Sequence, residues 1–297
     1  MSSEPNDSRN RTRKLRRFGL VLLALVAGSI AFRVLNELEL HHTSLVFIGI
    51  PALLAWIVAA SAPPRTAYGS VLRTTTLALL ISWIFLGEAF ICVLMAAPIF
   101  YMVGGTIALL KDRGDGPRRT NVTALLLLPL ALEGTHPMLS TSRERTVIVE
   151  GVVSAAAKDV RARLAAPPRF DEELPLFFRL GFPTPNEPRG GGVEIGDRWA
   201  IPFAHGGHHP GELVLVVKES QPNRVRFVAE SDDSYITHWL WWREATVELT
   251  PAADGRTHVR WTLRYARRLD PSWYFDPLEK YGVTLAAEYL LATLTTP

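Results

Sequence analysis

Two patterns of apolar and polar residues divide the chain near residue 140. Up to residue 132, long apolar runs are separated by short polar stretches, whereas from Arg145 apolar residues alternate with charged ones. Because about 20 apolar residues are needed to cross the hydrocarbon core of a bilayer, the first pattern predicts membrane-spanning helices. The second pattern is typical of a water-soluble domain that contains strands. The chain is therefore predicted to combine an α-helical transmembrane region with one soluble domain.

The apolar runs predict four full spans and one short segment. After a basic cytoplasmic N-terminus at 1–17, they cover residues 18–35, 44–62, 71–87, 90–110 and 120–132. The stretch from Val71 to Leu110 is too long for one helix, and Gly87-Glu88 is the expected break, since a carboxylate is costly at mid-membrane. The alternative places Glu88 in a polar bundle interior as a functional site.

The Lys and Arg residues of the short loops predict the orientation. They are concentrated before the first span, at 63–73 and at 111–119, and are missing from 36–43. Since cytoplasmic loops are enriched in Lys and Arg, we expect those three basic segments to be cytoplasmic. If 120–132 crosses, the C-terminal domain lies outside the cytoplasm, which is the topology predicted for this multi-pass cell-membrane protein. If that segment is re-entrant or interfacial, the domain is cytoplasmic.

Composition and motifs exclude several classes of function. The basic cluster Arg9–Arg17 lies directly before an apolar run, which favours a cytoplasmic flank, so no nucleic-acid partner is expected. The single cysteine, Cys92, excludes an internal disulfide. The chain carries no Gly-rich phosphate loop, nucleophile elbow or metalloprotease motif, and no cofactor is predicted.

The C-terminal pattern predicts a strand, a helix, a run of antiparallel strands and a long final helix. The predicted strands are Thr146–Val153, Val193–Phe203, Glu212–Glu219, Arg224–Ser231, His238–Thr250 and Thr257–Arg267, and the predicted helices are 155–165, 172–179 and 271–294. Asp270 is expected to cap the last helix and Pro271 to occupy its first turn. This order predicts an α+β fold in which a curved antiparallel sheet surrounds the C-terminal helix.

Four segments resemble one known superfamily. They are the opening TVIVEGVVSAAAKDV, the strand entry Gly211-Glu212-Leu213, the hairpin strand DGRTHVRWTLRY and the helix entry LDPSWYF. Residues 145–297 are thereby similar to the helix-grip (SRPBCC) superfamily of START, polyketide cyclase and birch-pollen-allergen-like domains. The resemblance implies a hydrophobic cavity between the sheet and the C-terminal helix, in a superfamily that includes lipid carriers, cyclases and binding modules. The N-terminal spans and the proline-rich segment 170–192 depart from its pattern.

Strand alternation assigns the side chains of the hairpin closed by 251–255 to two faces. The candidates for ligand binding on the cavity side are Trp239, Trp241, Arg243, Trp261, Leu263 and Tyr265, and the opposite face is expected to carry Trp242, Glu244, Glu248, His258, Arg260 and Arg264. An arginine on an apolar face needs an explanation. Three explanations are open: the Arg243 side chain reaches water from the strand end, it orients the polar end of a ligand, or the assumed strand register is wrong.

Two polar clusters are weaker candidates. His205, His208 and His209 are potential metal ligands, but their glycine-rich loop fits no metal-site spacing, and no metal is predicted. Asp233 and His238 can place a carboxylate beside an imidazole for acid–base chemistry, although a turn before a strand explains them equally.

These patterns predict membrane-anchored binding of a hydrophobic or amphipathic, lipid-like small molecule, with the lipid bilayer as its source or sink. One alternative is a cyclase or dehydratase-type enzyme that uses His238, Asp233, Arg243 or Tyr265. Another is a regulatory or scaffold protein whose cavity is filled by its own side chains. An open apolar cavity favours binding, convergent polar groups favour the enzyme, and a packed interior favours the scaffold.

Overall fold

The computed structural model describes most of the chain from residue 43 onward. The described residues are 43–61, 67–85, 90–112, 129–168, 170, 173–204 and 211–295, with isolated positions at 19, 23, 30, 34 and 127. The chain divides into two compact units, Met1–Thr141 (the N-terminal unit) and Ser142–Pro297 (the C-terminal unit).

Helices form the described part of the N-terminal unit. They are α1 (Ile50–Ser61), which follows a π-helical turn at Leu45–Gly49, α2 (Ala67–Phe85) and α3 (Phe90–Asp112). Small residues lie where the helices meet, since a Cβ added at Gly104 would come within 3.2 Å of Val71. Leucines such as Leu53 and Leu77 are exposed on the outside. The interior also contains large apolar side chains, among them Ile91, Ile99 and Ile107.

One helix of the described residues, Ile91–Asp112, is long and apolar enough to cross a membrane, with a mean hydropathy of 2.0, and the apolar helix Phe47–Val58 is shorter. Helix α2 contains Arg73 and three threonines, which make it more polar than the sequence pattern suggested. The predicted break at Gly87-Glu88 lies outside the described residues, as do most of the segments 18–35 and 120–132. The multi-span region is not supported beyond this one helix and remains a prediction.

One antiparallel sheet and a long helix dominate the C-terminal unit. Its elements are β1 (Glu144–Val153), α4 (Ala157–Ala165), α5 (Leu176–Arg179), β2 (Thr184–Pro185), β3 (Arg189–Gly190), β4 (Arg198–Ala204), β5 (Gly211–Gln221), β6 (Arg224–Asp232), β7 (Leu240–Pro251), β8 (Thr257–Arg267) and α6 (Ser272–Thr295). The strand order is β1-β8-β7-β6-β5-β4-β2, and β3 also pairs with β4. Strand β4 begins later than predicted because Gly196, with φ of +95°, and a hydrogen bond from the Glu194 amide to Asp197 (2.8 Å) form a turn.

Helix α6 packs on the sheet through one apolar stripe. Phe275, Val283, Ala287 and Leu291 are buried, and they share one helix face because they follow at intervals of four or eight residues. The approach to β1 is close, since a Cβ added at Gly151 would lie 2.7 Å from the Leu291 side chain. A curved antiparallel sheet that holds a C-terminal helix fits the helix-grip fold, so this part of the fold prediction is confirmed.

The outer face of the sheet carries ion pairs between neighbouring strands. Arg264 lies 3.0 Å from Glu244, and Arg260 lies 2.6 Å from Glu150. The outward placement predicted for Glu244, Arg260 and Arg264 is therefore correct. Because Arg260, Glu150 and Arg264 are about half exposed, each pair contributes little to stability, about 1 kcal/mol at most.

Candidate functional site

Strand β7 contains a β-bulge at Arg243. The β7–β8 ladder has the predicted register from Leu249↔Val259 as far as Glu244↔Arg264. Beyond that point β7 holds one extra residue, and Trp242 instead of Arg243 lies opposite Tyr265. A bulge of this kind shifts the alternation of side chains by one position.

The bulge reverses three of the predicted orientations. Trp242 turns toward Tyr265, with the ring centroids 6.3 Å apart, and it does not belong to the outer face. Trp241 is 42% exposed, and the Arg268 guanidinium lies 4.3 Å from its ring. Arg243 is exposed and pairs with Glu144 at 3.1 Å. The predicted inward placement of Trp241 and Arg243 was therefore wrong, because the register assumed for β7 and β8 does not continue beyond Glu244.

The other aromatic and aliphatic candidates lie in the interior. Trp261, Leu263 and Tyr265 are buried on the inner face of β8, and Trp239 is buried just before β7. Trp239 belongs to an aromatic cluster that also contains Phe177, Phe178, Phe182, Tyr235 and Tyr281. Through Phe177, whose ring lies 5.3 Å from that of Tyr281, this cluster joins α5 to α6.

Four inward-facing residues of the C-terminal unit carry buried polar atoms that make no hydrogen bond within the described part of the chain. These atoms are Trp242 Nε1, Trp261 Nε1, Tyr265 Oη and the two carboxyl oxygens of Glu279. Tyr265 is 0% exposed and Glu279 is 5% exposed. Because buried polar groups normally have partners, and an unpaired one costs about 1–3 kcal/mol, these atoms indicate where a bound molecule would interact.

Glu279 is the most unusual of these groups. Burial raises the pKa of its carboxyl well above the ordinary value. The Arg267 guanidinium favours the ionised form, as does the Leu269 backbone amide, which approaches the carboxyl but does not meet the geometry of a hydrogen bond. The carboxylates of Asp276 and Asp270 add to the rise. Glu279 therefore keeps its proton to a higher pH than an exposed glutamate does, and in that form it donates a hydrogen bond.

Tyr265 is a second persistent donor. Burial raises the pKa of its hydroxyl, and the negative charges of Glu279 and Asp276 raise it further. Tyr265 lies on β8 and Glu279 on α6, and the ionised Glu279 carboxylate opposes ionisation of the Tyr265 phenol.

The other charged groups near Glu279 are engaged with each other. Asp270 accepts from Arg267 at 2.5 Å and from Arg143 at 2.7 Å, and both Arg267 and Asp270 are fully buried. Arg145 lies 2.5 Å from Asp276. Asp270 was predicted to cap α6, but the carbonyl of Pro271 accepts the hydrogen bonds of the first helical turn, from the amides of residues 274 and 275.

Asp233 and His238, the acid–base pair predicted from the sequence, are not part of this site. Asp233 is exposed and accepts a hydrogen bond from the Glu212 backbone amide at 2.6 Å. His238 is exposed and stacks on Tyr235, with ring centroids 4.2 Å apart. The His205–His209 loop lies outside the described residues, which contain no group of three or more potential metal ligands.

Sequence reasoning missed two residues of the site. Glu279 occupies a position of the buried α6 stripe, four residues after Phe275 and four before Val283, so a carboxylate in an apolar helical stripe was a readable signal. Trp242 gave no such signal, because its inward orientation depends on the bulge.

Of the comparisons with known proteins, the one with solved structures found matches. No protein-family profile matches the chain, and no curated protein matches it. Solved structures of the helix-grip type resemble the C-terminal half. Truncated norcoclaurine synthase from Thalictrum flavum is 18% identical, and the match covers 52% of this chain and 93% of that one, with a TM-score of 0.36. The Zhui aromatase/cyclase from Streptomyces sp. R1128 is 16% identical, with coverages of 51% and 92% and a TM-score of 0.35. Ara h 8.0201 is 11% identical, with coverages of 50% and 99% and a TM-score of 0.32.

Proposed function

We propose that the C-terminal unit binds a hydrophobic or amphipathic small molecule between the inner face of its sheet and α6, and that the N-terminal unit anchors it in a membrane. The observation that carries this proposal is the set of unpaired polar atoms of Trp242, Trp261, Tyr265 and Glu279 in an interior that is mostly apolar apart from the buried Arg267–Asp270 ion pair. A few convergent polar groups on an apolar lining are typical of small-molecule sites.

Membrane anchoring rests on the N-terminal unit. Its support is the apolar helix Ile91–Asp112 together with the exposed leucines on its neighbours. A bilayer would cover these side chains and would supply apolar molecules to the C-terminal unit. The molecule is not recognised through Arg243, because that side chain is exposed and paired with Glu144.

A second candidate function is acid–base catalysis on the bound molecule. It is favoured by Tyr265 and Glu279, two buried titratable groups with raised pKa values on two elements in contact, β8 and α6. Perturbed titratable groups of this kind cluster at active sites. An enzyme of the cyclase or dehydratase type would use these two residues instead of Asp233, His238 or Arg243.

The test of binding uses the full chain purified in detergent. Native mass spectrometry and solvent extraction would identify apolar molecules that co-purify with the wild type and with the double variant Tyr265→Phe/Glu279→Met. The matched control is Tyr281→Phe/Glu288→Gln, which changes two exposed residues of α6. We expect the wild type and the control to carry the same molecule and the double variant to lose most of it. Equal amounts in all three proteins would contradict the proposal.

A further inference from the structure

The unpaired polar atoms of the site are mostly donors. An indole N–H only donates, a phenol donates and accepts, and a protonated carboxyl donates through one oxygen. Trp242, Trp261 and Tyr265 thus present three donors in every accessible protonation state, and Glu279 supplies a fourth when it is protonated. We infer that the molecule is uncharged and presents a carbonyl or similar acceptor oxygen to Trp242, Tyr265 and Glu279, an inference that rests on the binding function proposed above.

An anionic ligand fits the site poorly. The guanidinium groups of Arg143 and Arg267 are bound to Asp270, and Arg145 is bound to Asp276. A carboxylate or phosphate would therefore share its cation with Asp270 or Asp276, and its charge would be incompletely compensated. Burial of an uncompensated charge is far more costly than burial of a hydrogen-bonded carbonyl.

A cationic ligand is also disfavoured. An ammonium group only donates, so it would face the donors of Trp242 and Tyr265 and leave them unpaired. It would also require Glu279 to ionise in surroundings where burial opposes the charge. The attraction between the two charges in a buried pair often fails to repay the loss of hydration. The donor groups therefore select a neutral acceptor.

The spacing of the donors defines the shape of the molecule. Trp242 and Tyr265 are paired across the ladder, while Trp261 lies four residues earlier on β8, about 13 Å away along the strand. The buried side chain of Leu263 lies between them. An elongated apolar body with one acceptor at its end fits this arrangement, and a second acceptor would reach Trp261.

The experiment compares three probes that share one apolar body. Calorimetric titration of the full chain in nanodiscs, with empty nanodiscs subtracted, would measure 2-acetonaphthone (a neutral ketone), 2-naphthoate and 2-naphthylmethylamine near neutral pH. We expect the ketone to bind about tenfold more tightly than either charged probe, which corresponds to one or two net hydrogen bonds. Tighter binding of the naphthoate or the amine overturns the inference.

Matched variants test the donors one at a time. Trp242→Phe removes an indole N–H and is expected to weaken ketone binding about fivefold, whereas Trp241→Phe, its exposed neighbour, leaves it unchanged. Glu279→Met is expected to weaken it about tenfold, and Glu279→Gln, which retains an N–H donor, by less. Equal ketone affinity for Trp242→Phe and Trp241→Phe contradicts the inference.

The same data separate the two proposals. If a charged probe binds best and displaces the co-purified molecule, the binding function stands and the inferred ligand class is wrong. If none of the probes binds and no molecule co-purifies, the binding function itself is wrong.

Discussion

Trp242 and Tyr265 face each other across the β7–β8 ladder, with their ring centroids 6.3 Å apart and an interplanar angle of 67°. Arg243 is the bulged residue of β7, and Trp242 instead of Arg243 therefore lies opposite Tyr265 on the inner face. The residue predicted from the sequence to contact a ligand remains on the surface, and its neighbour in sequence takes the inward position.

Replacement of Arg243 by methionine should have little effect. Its guanidinium pairs with Glu144, but both side chains are about half exposed. We expect the free energy of unfolding to change by less than about 1 kcal/mol and the amount of co-purified molecule to stay constant. Thermal unfolding and native mass spectrometry of one preparation would check both. Loss of the molecule from a folded Arg243→Met protein would restore the original hypothesis of ligand recognition.

Replacement of Arg267 by methionine should have a large effect. This side chain is fully buried and lies 2.5 Å from Asp270, which is buried as well. Its loss leaves a buried carboxylate with Arg143 alone, and we expect a destabilisation of about 3–5 kcal/mol. Chemical denaturation alongside Arg243→Met would measure the difference between a buried and an exposed arginine on the same sheet. A similar stability for the two variants would show that the Arg267–Asp270 pair is dispensable.

Glu279→Gln should stabilise the protein at neutral pH. Because the pKa of Glu279 is raised in the folded state, the folded chain binds this proton more tightly than the unfolded chain. The contribution of Glu279 to the free energy of unfolding therefore falls as the pH rises from its pKa in the unfolded chain, near 4.5, towards its higher pKa in the folded chain. Glutamine does not ionise, so the variant does not lose this stability as the pH rises. The difference in free energy of unfolding between variant and wild type should therefore grow with pH over this window.

Unfolding of both proteins at a series of pH values, with Glu288→Gln as the exposed control, would measure this difference. The neighbouring charged and titratable groups are Arg145, Tyr265, Arg267, Asp270 and Asp276. They are present in both proteins, so the difference reports the Glu279 charge together with its coupling to these groups. A difference that does not change with pH would show that the Glu279 pKa is ordinary.

Removal of α6 should prevent the C-terminal unit from folding. A chain that ends at Leu269 exposes the inner face of the sheet, because Phe275, Val283 and Ala287 no longer cover it. We expect this chain to aggregate or to lose cooperative unfolding, which solubility and circular dichroism would detect. A cooperative, soluble truncation would mean that the helix is peripheral.

Reporter fusions test the predicted topology. The basic loops predict that the C-terminal unit lies outside the cytoplasm if segment 120–132 crosses the membrane. A phosphatase fused after Pro297 should then be active and a fluorescent protein at the same position should be dark. The reverse result would make 120–132 re-entrant or interfacial.

Sequence periodicity was sufficient for the elements of the C-terminal unit and insufficient for its site. Helix α6 and strand β8 were predicted within about a residue, because their apolar positions repeat at 3.6 and 2 residues over long runs. The strict repeat in β7 failed at Arg243, since nothing in the local sequence distinguishes a bulge from regular alternation. Glu279 was not among the predicted site residues, although the spacing of the apolar residues in α6 places it in their buried stripe.

Removal of Arg243 altogether would leave every inward-facing residue of β7 where it is. Without it, Glu244 would still pair with Arg264 and Trp242 with Tyr265, now in an unbroken ladder. Only the bend and the extra right-handed twist that a bulge gives its strand would disappear. In evolutionary terms, the loss of one codon at this position preserves the inward-facing side chains of β7 and changes the curvature of the sheet. Length variation here would therefore adjust how closely the sheet wraps α6, independently of which side chains it presents.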